Sequence, residues 1–213
     1  SHGSYEKYLQ AKLSIAKELE GQGKSSMKKV WPSEARSPED FLKGGNEFRF
    51  LDLCAGSGAI GCVMLARLPN ARVFFGEIDP AHEKTILKNI RENNLNASRA
   101  DVRIGDLFEP FGDMRFDIIA INPPYIPPGR ALPKSVADYE PALALYSGTD
   151  GLDIIHRIAK ELPKHLAYGG TAWIEVDSPT AETARALFAT QGLSAEIRTD
   201  QYGMPRVIVV SYI

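Results

Sequence analysis

Cysteine is scarce: the 213 residues hold two, Cys54 and Cys62, eight apart. Two thiols are too few for a disulfide scaffold, and their separation fits no metal-ligand pair. They read as reduced thiols in a cytoplasmic-type compartment. Also lacking is any apolar run near the roughly 18 residues of a membrane span, or a basic start followed by the apolar core of a signal peptide. A soluble, cytoplasmic protein with no membrane partner is expected, or one of an organellar matrix if a targeting sequence has been removed. Ser1-His2-Gly3-Ser4 reads as a cloning remnant. Charge of one sign is missing as well. Lys and Arg number 25 against 27 Asp and Glu, for a net charge of −2 and a pI near 6.1. That balance gives no basic field of the kind phosphate backbones require, so nucleic acid is not the expected partner.

What is present is globular: 44% hydrophobic and 24% charged residues. A chain of this length buries roughly 70–75% of its unfolded surface and folds without staples. One domain plus a small appendage is expected. Residues 1–45 form the appendage, with one amphipathic helix over Tyr5–Leu19 and a polar linker whose Lys24, Lys28 and Lys29 read as solvated. Residues 46–213 form the main domain.

From Phe48 onward strand-like and helix-like segments alternate over short connections, the signature of a parallel α/β sheet. Strands are predicted at Phe50–Cys54, Arg72–Glu77, Val102–Gly105, Phe116–Ile121 and Thr171–Val176. Helices are predicted at Ala59–Leu68, Pro80–Asn94, Leu152–Leu166 and Thr180–Gln191. The last strands, Ala195–Thr199 and Arg206–Ser211, have no helix between them and should pair antiparallel.

The first strand runs into Leu51-Asp52-Leu53-Cys54-Ala55-Gly56-Ser57-Gly58-Ala59-Ile60-Gly61, which opens a helix. Gly56, Gly58 and Gly61 fit the Gly-x-Gly-x-x-Gly dinucleotide pattern, a weak signal alone. Glu77, ending the next strand, is placed to accept hydrogen bonds from both hydroxyls of a ribose, which points to an adenosine-like ligand. Asp52 selects among such ligands. A carboxylate there repels a pyrophosphate and attracts an ammonium, favouring S-adenosyl-L-methionine over a nicotinamide dinucleotide. Asp106, after the third strand, either accepts from the adenine amino group or caps the turn at Leu107-Phe108. Cys54, Gly56, Gly58, Ile78, Leu107 and Asn122 complete the candidate cofactor set.

The fourth strand ends in Asn122-Pro123-Pro124-Tyr125. A planar amide or exocyclic amine has a delocalised nitrogen lone pair, so it attacks a methyl group only when its N–H groups are held and its geometry fixed. The Asn122 side-chain oxygen and the Pro123 carbonyl can hold both N–H groups, the prolines stiffen the backbone, and Tyr125 offers a flat wall for stacking. Asn122, Pro123 and Tyr125 are therefore the candidate catalytic residues, with Pro124 and Tyr125 facing the acceptor. A Pro-rich turn is the bland alternative.

The glycine loop, Glu77, Asn122-Pro123-Pro124-Tyr125-Ile126, Glu140-Pro141-Ala142-Leu143-Ala144-Leu145 and Gly148-Thr149-Asp150-Gly151-Leu152, in that order, resemble the release-factor glutamine methyltransferases of the HemK/PrmC type. The resemblance runs from about Phe48 to the C-terminus. It implies a Rossmann-like class I methyltransferase sheet of seven strands, mostly parallel with a C-terminal antiparallel hairpin. It also implies S-adenosyl-L-methionine as cofactor, and methylation of the side-chain amide in the Gly-Gly-Gln loop of a peptide-chain release factor. Glu140 joins the substrate-binding candidates on this basis. Asn-Pro-Pro-Tyr alone is shared with adenine and guanine amino methyltransferases, so a base in RNA or DNA is the alternative acceptor. Cys54 departs from the family at the first loop glycine, a change tolerated if the dihedrals there are ordinary. The family's separate N-terminal helical domain has only about 45 residues to match it here.

A nicotinamide oxidoreductase leaves Asp52 and Asn122–Tyr125 unexplained, and a silent binding subunit leaves two intact motifs unused. His82, His156 and His165 lack partners at metal spacing and read as structural or solvent-facing, so no metal is expected. Glu175 and Asp177 either face the substrate or cap the following helix.

Overall fold

The computed structural model describes residues 47–125, 151–200 and 202–213. The helix and linker expected over 1–45, Ile126, the segment around Glu140 and Gly148–Asp150 lie outside them.

Seven strands form one sheet: β1 (Phe48–Leu53), β2 (Ala71–Glu77), β3 (Ala100–Ile104), β4 (Phe116–Ile121), β5 (Leu166–Glu175), β6 (Leu193–Thr199) and β7 (Pro205–Tyr212). Their order is β3-β2-β1-β4-β5-β7-β6. β1 pairs in parallel with β2 and β4, β2 with β3, and β4 with β5, while β7 runs antiparallel between β5 and β6. The four described α-helices are α1 (Ala59–Arg67), α2 (Ala81–Glu92), α3 (Asp153–His165) and α4 (Ala181–Ala189).

The strands at the centre are apolar on both faces because helices cover both. Phe50, Val73, Phe75 and Ile118 pack with Ile60, Met64 and Leu65 of α1 and with Ile86 and Ile90 of α2. On the opposite face Leu51, Leu53, Ile119 and Ile121 pack with Ile155, Ile158 and Leu162 of α3 and with Ala184 and Phe188 of α4. The alternation of one strand thus feeds two cores. The return from α1 to β2 is clamped by the Arg99 guanidinium, which donates to the carbonyls of Leu65, Leu68 and Ala71 at 2.6–2.9 Å.

β5 is longer than its apolar stretch predicts, beginning at Leu166 rather than Thr171. Gly169 takes φ +78° and the β4–β5 register shifts between Phe116 and Ile118, so the chain bends and still pairs Leu166 with Phe116. No helix among the described residues is long and apolar enough to cross a membrane.

Candidate active site

Parallel pairing brings the singled-out residues to one edge. Leu53 is the register partner of both Gly76 and Ile121, and Ile121 that of Ile174. Glu77, Cys54, Asn122 and Glu175 therefore leave the sheet side by side, at strand spacings of about 4.8 Å. The chain order reverses between β1 and β4, and crevices at such switch points are where open α/β sheets hold ligands.

The turn from β1 into α1 is a run of left-handed backbone: Cys54 at φ +59°, Gly56 at +55° and Gly58 at +75°. Two of the three are glycines, which carry that conformation without cost. Cys54 is not, so its dihedral is not the ordinary one under which the substitution is harmless. An L-residue there carries roughly 1–2 kcal/mol of strain. Gly61 answers a different demand: a Cβ on it would stand 2.2 Å from the Phe75 ring, so its absence lets α1 lie against β2.

Two carboxylates hold the turn. Asp52 lies beneath it, 1% exposed, and its Oδ2 accepts the Gly61 N–H at 2.8 Å. That donor is one of the unsatisfied groups of the α1 N-terminus, where negative charge is stabilised. Glu77 closes the turn from the side. Its Oε2 accepts from Gly56 N at 2.7 Å, and its Oε1 from Ile78 N at 2.9 Å and Asp79 N at 3.0 Å. A carboxylate offers about four lone-pair sites, so three main-chain bonds fix its orientation and leave about one for a ligand. Beside it Ile78 is 50% exposed, an apolar surface at this edge of the sheet.

Asp106 follows β3 at the same edge of the sheet, and its carboxylate is engaged in a way the sequence did not suggest. Arg157 of α3 donates to its Oδ2 at 2.7 Å. The turn at Leu107-Phe108 is held instead by main chain, Glu109 N donating to the Asp106 carbonyl. Leu107 is buried at φ +48°.

Across the switch point Asn122 is half-buried, Pro123 buried, and Pro124 and Tyr125 half-buried. Among the described residues the Asn122 amide makes no hydrogen bond. Tyr125 is pinned: its hydroxyl donates to Glu175 Oε1 at 3.1 Å. Burial and the Glu175 carboxylate push its pKa well up, with Arg206 pulling the other way. Glu175 is 1% exposed and Asp177 8%. The Asp177 side chain does not cap the following turn; its carbonyl takes the Thr180 N–H instead.

Beyond Tyr125 lies a cleft of about 460 Å3 lined by Asp177, Ser178, Pro179, Met204, Pro205 and Arg206. Neither Arg157 nor Arg206 carries a local motif, and both reach the edge only through long-range packing. His165 is a core residue, stacked on Phe108 at 4.4 Å with Nδ1 near the Met114 carbonyl. Among the described residues no three His, Cys, Asp or Glu side chains gather to hold a metal ion.

Residues 40–137 match the methyltransferase small domain family. The release factor glutamine methyltransferase of Geobacter sulfurreducens is 37% identical over 161 residues, covering 74% of this chain and 56% of that protein. The ribosomal protein uL3 glutamine methyltransferase of Bradyrhizobium diazoefficiens is 38% identical over 129 residues, covering 60% of this chain and 40% of that one. The chain spans about half the length of the curated relatives it matches. In fold it is similar to a 16S rRNA methyltransferase of T. thermophilus solved with AdoMet and guanosine. There the TM-score is 0.54 at 22% identity, over 78% of this chain and 37% of that one. In fold the chain is similar to a solved AdoMet-binding methyltransferase, and by sequence it is similar over most of its length to the release factor glutamine methyltransferases.

Proposed function

We propose that this protein is an S-adenosyl-L-methionine-dependent methyltransferase acting on the side-chain amide nitrogen of glutamine in the Gly-Gly-Gln loop of a peptide-chain release factor. What carries this is the position of Asn122-Pro123-Pro124-Tyr125, next to the glycine turn of β1 on one side and Glu175 of β5 on the other. The names of the two glutamine methyltransferases it resembles support an amide acceptor.

The residues of the crevice fit the cofactor. Glu77, fixed by three N–H groups, keeps capacity for a ribose hydroxyl, and Ile78 offers a face for a flat base. Asp52 adds negative potential under the turn, favouring a cationic ammonium over a pyrophosphate. Asp106 keeps lone pairs for an amino group beside its bond to Arg157. Bound there, S-adenosyl-L-methionine supplies an electrophilic methyl group on a sulfonium centre.

The protein's own work is positioning. The Asn122 oxygen and the Pro123 carbonyl accept the two N–H groups of the amide, holding its nitrogen toward the crevice. Tyr125, locked by Glu175, stacks on the amide plane. Orientation of this kind accounts for about 7–11 kcal/mol of barrier where geometry is good. The nitrogen gives up its surplus proton to water after methyl transfer, so no side-chain base is needed.

The test is tritium transfer from labelled cofactor to three acceptors side by side: a release factor, the same factor with its loop glutamine replaced by alanine, and total tRNA plus rRNA. Label in the intact factor alone supports the assignment. Label in RNA and none in protein moves the acceptor to a nucleobase.

A further inference from the structure

The cleft beyond Tyr125 takes no part in holding the amide or the cofactor, yet it opens from the same edge of the sheet. One wall is the turn after β5, Asp177–Pro179; the other is the start of β7, Met204–Arg206. The walls are tied together. Ser178 Oγ donates to the Pro205 carbonyl at 2.6 Å, and Val176 N to the Arg206 carbonyl at 2.9 Å. The cleft is therefore a fixed feature of the β5–β7 pairing.

Its outer rim is the β6–β7 hairpin, and that tip is ordered by one carboxylate. Asp200 Oδ1 accepts from Tyr202 N at 2.9 Å and Met204 N at 3.0 Å, while Asp200 N donates to the Met204 carbonyl. The hairpin nevertheless presents two apolar side chains to water, Tyr202 at 79% exposure and Met204 at 48%. A tyrosine, with only two side-chain torsions, loses little entropy on contact, which makes it an inexpensive anchor for a partner.

Charge narrows what the cleft can hold. Arg206 lies 3.7 Å from Asp200, and its guanidinium has five donors, so one carboxylate leaves several unspent. Asp177 lines the cleft with it and Asp200 lies beside it, so the cleft mixes acidic and basic side chains. A phosphodiester chain, an acceptor with negative charge at every unit, makes no use of the carboxylates there. A neutral main chain, which carries both N–H and C=O groups, finds partners of both kinds.

We propose that this cleft seats the polypeptide main chain of the acceptor loop, with Arg206 donating to its carbonyls and the Tyr202–Met204 tip as the docking contact. This rests on the protein-glutamine reading and adds to it the subsite that takes the residues flanking the glutamine. It places the acceptor main chain on the β5–β7 side of Asn122 and the cofactor on the β1–β2–β3 side, so the two approach the reacting atoms from opposite halves of the sheet.

The experiment is steady-state kinetics of the full chain on a purified release factor, with cofactor affinity measured separately by calorimetry. Three variants are compared: Arg206→Ala, Arg206→Lys, and the paired surface change Tyr202→Ser with Met204→Ser. The expected result for Arg206→Ala is a KM for the release factor raised at least about tenfold, the scale of one or two lost charge-assisted bonds, with kcat and cofactor Kd within about twofold. Arg206→Lys recovers part of that KM. The paired surface variant, which disturbs no buried contact, raises KM about fivefold or more with an unchanged melting temperature. A normal KM in both Arg206→Ala and the surface variant, while the parent methylates the factor, overturns the cleft assignment and leaves the glutamine reading standing. A parent that labels RNA and no release factor overturns the reading, and the proposed occupant with it.

Discussion

The Tyr125 hydroxyl donates to Glu175 Oε1 at 3.1 Å, joining the end of the Asn-Pro-Pro-Tyr run to the next strand in the sheet. The bond crosses 50 residues of sequence and fixes the ring proposed to wall the acceptor position. Tyr125→Phe keeps the ring and removes the tether, so kcat/KM is expected to fall about tenfold to a hundredfold, the scale on which small misplacements cost rate. Cofactor affinity should not move. Because the phenol's pKa is pushed upward, activity should also show no loss as pH passes about 10, the ordinary tyrosine value. A pH profile with a limb near that value would show the phenol ionising freely, and the tether would then be wrong.

Glu77 holds the turn, and the proposed reading gives it the cofactor ribose as well; the two roles separate by measurement. Glu77→Gln keeps the shape but turns one acceptor into a donor, and cofactor binding should weaken by about 1.5–3 kcal/mol in calorimetry. Glu77→Ala strips the acceptor from the N–H groups of Gly56, Ile78 and Asp79, so thermal stability should fall too, by about 1–3 kcal/mol. Retained affinity in both variants would remove Glu77 from the cofactor site.

Cys54 predicts a gain. Replacing it with glycine relieves left-handed strain of about 1–2 kcal/mol, against about 0.5–1 kcal/mol of added freedom in the unfolded chain. Cys54→Gly should therefore stabilise by about 0.5–1 kcal/mol in urea, and the β-branched Cys54→Val should destabilise. Equal stability of all three proteins would mean the turn relaxes away from φ +59°.

How far the sequence led can be judged at these same residues. β4 is predicted with its observed bounds, Phe116–Ile121, because an apolar run between turn residues has one reading in a buried parallel sheet. The N-terminal half of β5 was illegible, since Gly169 and Gly170 look like a loop when the pairing of Leu166 with Phe116 is unknown. At the site, Glu77 and Asn122–Tyr125 stand at strand ends, where local pattern suffices to place them on one edge. The partners of Asp106 and Tyr125 come from 51 and 50 residues away, and no spacing rule reaches that far. The dihedral of Cys54 was hidden for a different reason: a small residue in a glycine loop is compatible with either sign of φ until the turn is seen.

Cys62 offers a check on the ground beneath the turn. Burial first, and then the Asp52 carboxylate, raise its pKa from an ordinary 9.0 to about 11. Reaction with a thiol reagent should be slow at pH 8 and reach half its limiting rate near pH 11 in the folded protein, against about 9 in denaturant. The sign for stability follows. The thiol is protonated in both states below pH 9, ionises first in the unfolded chain, and so its contribution is lost as pH rises from 9 toward 11. Asp52→Asn should move the folded midpoint downward; a midpoint already at 9 in the parent would contradict the burial of Cys62 beside Asp52.

The central claim is that Asn122 holds a glutamine amide for methylation, and peptide mass spectrometry of a release factor tests it most directly. The factor is incubated with S-adenosyl-L-methionine and either the parent enzyme or Asn122→Ala, with cofactor affinity of both measured alongside. The prediction is one added methyl group on the loop glutamine with the parent, and at least about a hundredfold slower appearance of that mass with Asn122→Ala at nearly unchanged cofactor affinity. Equal rates of methylation by the two proteins, or a methyl group found elsewhere than on that glutamine, would contradict it.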